Sequence, residues 1–290
     1  MIEAVTGEPY TVWIKREIVD AAGLTETTPD MPVADSEPTA IGHSSKLPLG
    51  RRVVLPAHQP TNALAAATGF VSTAGDLARF FAQLSPAAET ELLTVASRRE
   101  MTRAQWRNPH STLELHYGLG TMSSGTDDWW WFGHHGAFQG FMSRTVALPA
   151  QDVAAAIVTN AIDGLAIQWM GGVLQILAKF AKHGAPSEAA RDWGGRWWSI
   201  WGTTDLVPMG GKVLAANPAL PMPFSDASEI AVSGPDDGTI TVANGFGSHG
   251  EMVKRIRDSD GQVRGLRFGG GTLVPEDRVA AELRACEADA

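Results

Sequence analysis

The stretch "WWWFGHHGAFQGFMSRTVALPAQDVAAAIVTN", Trp129 to Asn160, constrains the fold more than any other part of this chain. Its apolar runs are too short for ordinary helices, and "PAQD" between the last two is a tight turn. With "LHYGLGTM" just before it, the region reads as four short strands: "LHYGLGTM", "DWWWFG", "GFMSRTVALP" and "DVAAAIVTNA". Consecutive strands joined by short turns pair antiparallel. An antiparallel sheet is therefore expected in the middle of the chain.

Helical spacing flanks this sheet. A helix end closed by Gly7 and a helix from Tyr10 to Ala22 stopped by Gly23 come first. From Thr25 to Asn62 six prolines among scattered polar residues predict an irregular excursion over the surface. "VSTAGDLARFFAQL" then places Leu77, Phe80, Phe81 and Leu84 at helical intervals behind a cap at Ser72 or Thr73, with Asp76 three residues after Thr73 as in a capping box. A second helix is expected over Glu89 to Trp106, and a strongly amphipathic one over Leu165 to Phe180. The latter ends in Lys179, Lys182 and His183, cations suited to a negative helix terminus.

Beyond "HGAPSEAARD" the chain becomes rich in Gly, Pro and short β-prone runs, with Asp237-Gly238 and Asp260-Gly261 as turn signals. The expected class is thus α+β: an antiparallel sheet flanked by helices over residues 1–183, a linker at 184–193, and a small all-β barrel-like domain with a flexible tail over 194–290. Trp193, Trp197, Trp198 and Trp201 read as the plug of that barrel ahead of a sugar- or peptide-binding cluster.

Composition sets limits on partners. A net charge of −9 disfavours nucleic acid and anionic membrane, because the summed field repels both. A small-molecule or peptide substrate remains open. Cys286 is the single cysteine, so no intramolecular disulfide forms. The N-terminus lacks the basic start, apolar core and cleavage site of a signal peptide, and no run reaches the roughly 20 apolar residues of a membrane span. As written the sequence reads as cytoplasmic, although it assigns no location.

The chemistry centres on His134 and His135 inside a glycine frame. By themselves they read first as packed or surface residues, and the strand and glycine frame bring the site reading level with that. His110, His116, His134 and His135 match no zinc-site spacing and no cysteine joins them, so neither metal nor cofactor is expected. Ser72 in "GFVSTAG" lacks the frame of a nucleophile elbow and reads as a helix cap. Trp129 to Trp131 should alternate across a strand, some packing and the remainder lining a cleft.

In order, "IEAVTGEPY", "AAGLTET", "ATGFVSTAGDLARF", "YGLG", "GHHGAFQGF" and "ALPAQDVAAAIVTN" resemble the back half of the serine β-lactamase-related family. That family comprises class C β-lactamases, DD-peptidases, D-aminopeptidases and related esterases. The resemblance covers roughly residues 1–182. Residues 194 to about 275 resemble the lipocalin-like β-domain appended to some of its peptidases, through "NGFGSHGE" and "DSDGQVRGLRFGG".

The resemblance implies amide or ester hydrolysis through an acyl-enzyme, with three motifs. A Ser-x-x-Lys supplies nucleophile and base one helical turn apart, a Tyr-x-Asn or Tyr-x-Ser relays protons, and a Lys-Thr-Gly or His-x-Gly strand aligns the substrate. Only the third matches, as His134-His135-Gly136. It implies a catalytic or hydrogen-bonding place for His134, and substrate or oxyanion contacts at His135, Gly136 and the Ala137 N–H.

No serine in the chain has a lysine three residues on, and Tyr10 and Tyr117 are followed by Thr-Val and Gly-Leu. In the family both missing motifs precede the segment that matches Met1 to Tyr10. The expectation is a fold whose front half is absent, with an open sheet edge, that is inactive alone and either oligomeric or completed by the missing half. The alternative is a non-catalytic ligand-binding module or one partner of a split assembly.

Overall fold

A computed structural model describes residues 1–33, 38–56, 59–90, 92–107, 109–110, 115–126, 129–244 and 247–288. Asp128, the first residue of one expected strand, and Gly245-Phe246 of "NGFGSHGE" lie outside these. The chain divides into two compact units, Met1–Met170 and Gly171–Ala290.

In the first unit α1 (Ile2–Thr6) ends at Gly7, whose φ of 73° is the left-handed conformation that glycine reaches at least cost. Next, α2 (Tyr10–Ile14) runs into a π-helical stretch, Lys15–Asp20. Val19, Ala22 and Leu24 are buried there against Ile14, Phe80 and Leu92. The helix α3 (Ala74–Gln83) starts at Thr73, whose hydroxyl accepts the Asp76 N–H at 3.3 Å. Its neighbour α4 (Val95–Thr102) is shorter than the spacing of residues 89–106 suggests. Thr94 caps it late, and Arg103 turns extended, releasing the chain into a strand.

Six strands then form one antiparallel sheet in sequence order: β1 (Trp106–Arg107), β2 (His116–Tyr117), β3 (Met122–Thr126), β4 (Trp129–Phe138), β5 (Phe141–Leu148) and β6 (Val153–Thr159). The expected strand "LHYGLGTM" is two, divided at Gly118 to Thr121, where the Gly118 N–H is bonded to Thr121 O at 2.7 Å. Phe132 and Ala147 face the helices and bury against Phe81 and Leu84, with Phe80, Leu93 and Met101 around them.

Three buried polar side chains hold the irregular segments. Asp30, 8% exposed, accepts N–H groups of Met31, Thr61 and Asn62 and the Thr61 hydroxyl, all within 3.0 Å. Asp76, 2% exposed, accepts the Glu26 N–H and the Thr27 hydroxyl, and pairs with Arg79. Arg98 donates one Nη1 to the carbonyls of Ser85 and Ala88 at 2.6 and 2.7 Å. A cation there suits the carbonyl-rich end of α3.

From the first unit into the second runs α5 (Ala166–His183). Ile176 and Phe180 on its later turns pack on Met209, Leu214 and Phe224 of the second unit. The compact boundary therefore falls inside this helix, ahead of the change in composition at 184–193. In that stretch α6 (Glu188–Arg191) is capped by Ser187, and Ala190 and Trp193 enter the core.

Eight antiparallel strands follow in order: β7 (Gly195–Ser199), β8 (Gly202–Met209), β9 (Lys212–Ala216), β10 (Ser228–Val232), β11 (Asp237–Val242), β12 (Met252–Arg257), β13 (Val263–Phe268) and β14 (Gly271–Leu273). Trp198 and Val274 exchange two backbone hydrogen bonds of 2.8 Å, bringing the first and last strands together in a nearly closed barrel. Val213, Ile230, Ile240, Val253 and Leu266 alternate inward and fill it with Trp193, which is 1% exposed. Trp197 is buried too, whereas Trp201 is 73% exposed on the β7–β8 turn. After Val274 the chain is helical rather than a loose tail: α7 (Glu276–Ala288) has Glu276 and Asp277 in its first turn and an exposed Cys286.

Replacing Trp193 with Ala removes the largest fully buried side chain of the barrel. The expected cost is about 3–5 kcal/mol, read as lost amide-exchange protection in β9 to β12.

Burial pushes the Asp30 carboxyl up, but the Thr61, Asn62 and Met31 N–H groups and the Thr61 hydroxyl outweigh it and hold its pKa below the ordinary value. Its stabilisation is therefore present above the unfolded value of about 3.9 and lost as pH falls through the lower folded value. Acid unfolding of the first unit should steepen below that pH. Asp30→Ala, with three backbone donors left unpaired, should lose about 2–4 kcal/mol at neutral pH and flatten this acid limb in CD titrations.

Candidate functional site

The site forms where β4 runs past the start of β3. Pairing with β3 begins at Met122↔Gly133, so from His134 onward β4 is paired only with β5 among the described strands. The β4–β5 hairpin closes through Gln139 and Gly140, both at positive φ (39° and 95°), as a two-residue turn matched to strand twist requires. Such a turn makes Phe138↔Phe141 a hydrogen-bonded pair. Alternation then turns the N–H and C=O of Gly136 and His134 toward β5, and those of Ala137 and His135 toward the open edge.

The Thr145 hydroxyl confirms that phase at His134. It accepts the His134 N–H and donates to the His134 carbonyl, both at 3.1 Å, bridging two groups that a regular ladder would join directly. Beside the bridge the two backbones approach closely at Gly133. A Cβ there would lie 2.0 Å from the Thr145 carbonyl oxygen. At Gly136 the nearest obstacle is the Ser143 hydroxyl, 2.7 Å away, which is a rotatable group.

The His134 ring lies between two partners. Its Nδ1 is 2.6 Å from the His135 carbonyl oxygen, on the open edge, and its Nε2 is 3.0 Å from the Tyr117 hydroxyl. The Tyr117 and His134 rings meet edge-on at 5.8 Å. Tyr117 reaches His134 from β2, one strand beyond β3, because β3 starts too late to intervene.

His135 is in register with Arg144, and its ring centre lies 5.7 Å from that of His134. Burial first, then the charges of Arg144 and His134, lower its pKa, so it is neutral at pH 7. Arg144 is 6% exposed and sits 4.3 Å from the Trp131 ring centre; burial pulls its pKa down to about 10. It is a cation held by an aromatic face, and it remains charged at neutral pH.

At the hairpin end, Gly140 packs directly on Gly42, where a Cβ on Gly140 would come within 2.7 Å of the Gly42 backbone. The loop around Gly42 also reaches β6: His43 Nδ1 donates to the Asn160 carbonyl at 2.9 Å. Near there a cleft of about 710 Å3 is lined by His43, Arg52, Asn160, Asp163 and Trp169, with Arg52 and Asp163 paired through two hydrogen bonds of 2.9 and 3.1 Å.

His134, His135, Gly136 and Ala137 thus share one strand, and the His134 and His135 ring centres lie 5.7 Å apart with planes tilted by 32°. Gly136 lies against Ser143, and Ala137 offers its backbone. Trp131 is buried, and Trp130 is 42% exposed with its ring 5.9 Å from that of Phe132. Among the described residues no three His, Cys, Asp or Glu side chains gather as a metal site. Ser72 Oγ lies 2.7 Å from the Thr27 hydroxyl, which donates to Asp76, in a chain with no imidazole. Sequence reasoning missed Tyr117 and Thr145. Tyr117 fails the Tyr-x-Asn pattern, and its partner is 17 residues away on a strand not adjacent to its own.

The family model described as "Beta-lactamase" matches residues 1–165. The octameric penicillin-binding protein homologue from Pyrococcus abyssi is 17% identical, with 94% of this chain and 61% of that chain covered at a TM-score of 0.52. The D-stereospecific amidohydrolase from a Streptomyces species is 26% identical, covering 55% of this chain and 46% of that one at a TM-score of 0.47. The beta-lactamase/D-alanine carboxypeptidase from Pseudomonas syringae is 15% identical, covering 63% and 56% at 0.46. The first likeness shows a shared fold. This chain spans roughly half to three fifths of the length of these three. No relative was found among curated proteins.

Gly133→Ala should destabilise the first unit by about 1–3 kcal/mol, since a strand must move, whereas Gly136→Ala should cost less than about 1. Equal costs in denaturant titrations would contradict the close approach at Gly133.

Proposed function

This chain belongs to the beta-lactamase family, whose model matches its residues 1–165, and from that premise we propose that it supplies the substrate-aligning wall of a serine-hydrolase cleft. The family is one of serine hydrolases. The reaction proposed for the complete site is amide or ester hydrolysis through an acyl-enzyme. A serine oxygen adds to the carbonyl carbon, the tetrahedral oxyanion collapses to expel the amine or alcohol, and water then releases the acid.

The observation that carries this reading is the open edge of β4 beyond Gly133. It turns the Ala137 N–H outward, where a developing oxyanion would accept it, and Ala137 is exposed. His134 lies on the same stretch and brings a hydrogen-bonding side chain held by Tyr117 and by the His135 carbonyl. His135 is neutral and half-buried, and its backbone N–H on the edge supports a role in binding extended substrate.

The nucleophile and general base are not contributed by these 290 residues, which hold no Ser-x-x-Lys and no Tyr-x-Asn. Alone, the chain is proposed to bind without turnover. The same edge supports the alternative of a binding module or one half of a split assembly, because alternating N–H and C=O groups take up an extended peptide with no chemistry.

Fluorescent penicillin and a fluorophosphonate should leave the isolated chain without a stoichiometric adduct in its intact mass. A single stable adduct would show a nucleophile where none is proposed. Titration with D-amino-acid peptides should shift the Ala137 and His135 amide resonances, and shifts confined to other strands would remove the wall from β4.

A further inference from the structure

The carbonyl of His135 can only accept a hydrogen bond, so His134 Nδ1, 2.6 Å away, carries a proton. In the neutral ring Nε2 is then the acceptor, and the Tyr117 hydroxyl 3.0 Å from it is the donor. The order of protons along the chain is thereby fixed, from Tyr117 Oη–H to Nε2 and from Nδ1–H to the His135 oxygen. Both ends of the imidazole are tied, one to β2 and one to the open edge of β4. A second restraint is the edge-on packing of the two rings at 5.8 Å, with planes at 82°.

We propose that Tyr117 is the positioning residue of His134: the His135 carbonyl sets the Nδ1–H tautomer, and the Tyr117 hydroxyl, donating to the Nε2 that remains, holds the ring along the open edge of β4. The phenolic oxygen keeps lone pairs for a ligand donor. The Ala137 N–H, turned to the same edge, supplies the donor for a ligand oxygen. The strand edge therefore presents a backbone donor near one side-chain acceptor, the Tyr117 oxygen, with the proton positions set before any ligand arrives. This assignment rests on the reading of β4 as a substrate-aligning wall, yet it concerns the ligand-free chain and can be tested without turnover.

The test is NMR of the full chain with 15N-labelled histidine and 13Cζ-labelled tyrosine. His134 resonances are assigned by their loss in His134→Ala. At a pH where the ring is neutral, Nδ1 should be the protonated nitrogen by roughly ten to one, the bias that one net hydrogen bond supports. Tyr117→Phe keeps the aromatic packing and removes only the hydroxyl, so the tautomer should stay Nδ1–H while the Nε2 resonance moves to that of an unbonded ring nitrogen. With only two tyrosines in the chain, the Tyr117 Cζ line is identified directly and should move in His134→Ala while that of Tyr10 stays.

An Nε2–H tautomer in the native chain, an Nε2 resonance unchanged in Tyr117→Phe, or a Tyr117 line indifferent to His134→Ala would each overturn the assignment. Failure of peptides to shift the Ala137 amide would overturn the wall reading alone and leave the proton order standing.

Discussion

Seven residue pairs join β4 to β5, from Phe132↔Ala147 to Phe138↔Phe141, and the first unit depends on their register. A slip of one residue would exchange the two faces of β4, moving Phe132 out of the helix-packed core and Trp131 into it. The register is set at both ends: by the Gln139-Gly140 turn and by the approach of Gly133 to the Thr145 carbonyl. Between these, the Thr145 hydroxyl bridges the His134 N–H and C=O. The same register decides which amides face the open edge, so packing of the core and presentation of the site are one constraint.

Around this sheet, long irregular segments are held by single buried polar groups. Asp30 takes up backbone donors 31 residues away, and Asp76 ties the start of α3 to Glu26 and Thr27. Arg98 serves carbonyls after α3 in the same way. A loop cannot bury its own backbone groups without partners, so a few well-placed side chains do the work of a ladder. The loop at Gly42 seats against the hairpin tip only because glycine faces glycine there. Site and loop are thereby connected through backbone contact.

Much of this was legible. Short β-prone runs and tight turns predicted the sheet, Thr73 its helix cap, and the Gly- and Pro-rich back part the barrel. Ordered signatures gave the family. The shorter α4 was not legible, because Leu92 and Leu93 fit a helical pattern while packing from a turn. Neither was α7 expected, since its apolar residues are few. Of the proposed site, the glycine frame singled out His134 and the family resemblance Ala137, whereas Tyr117 was set aside for lacking the Tyr-x-Asn pattern, and its contact with His134 is tertiary. The Gly133 approach left no signal beyond a glycine in a strand.

By itself the sequence determined what kind of elements form, because periodicity, caps and turn residues act within a few positions of one another. It also shows that no Ser-x-x-Lys occurs among these residues, since that is a local pattern. Only the tertiary structure decided which groups meet: Tyr117 with His134 across a missing stretch of β3, Thr145 with the His134 backbone, Asp30 with Thr61 and Asn62. Those contacts depend on where strands begin and how closely backbones approach. Such distances are fixed by packing among residues far apart in the chain, and no local pattern encodes them.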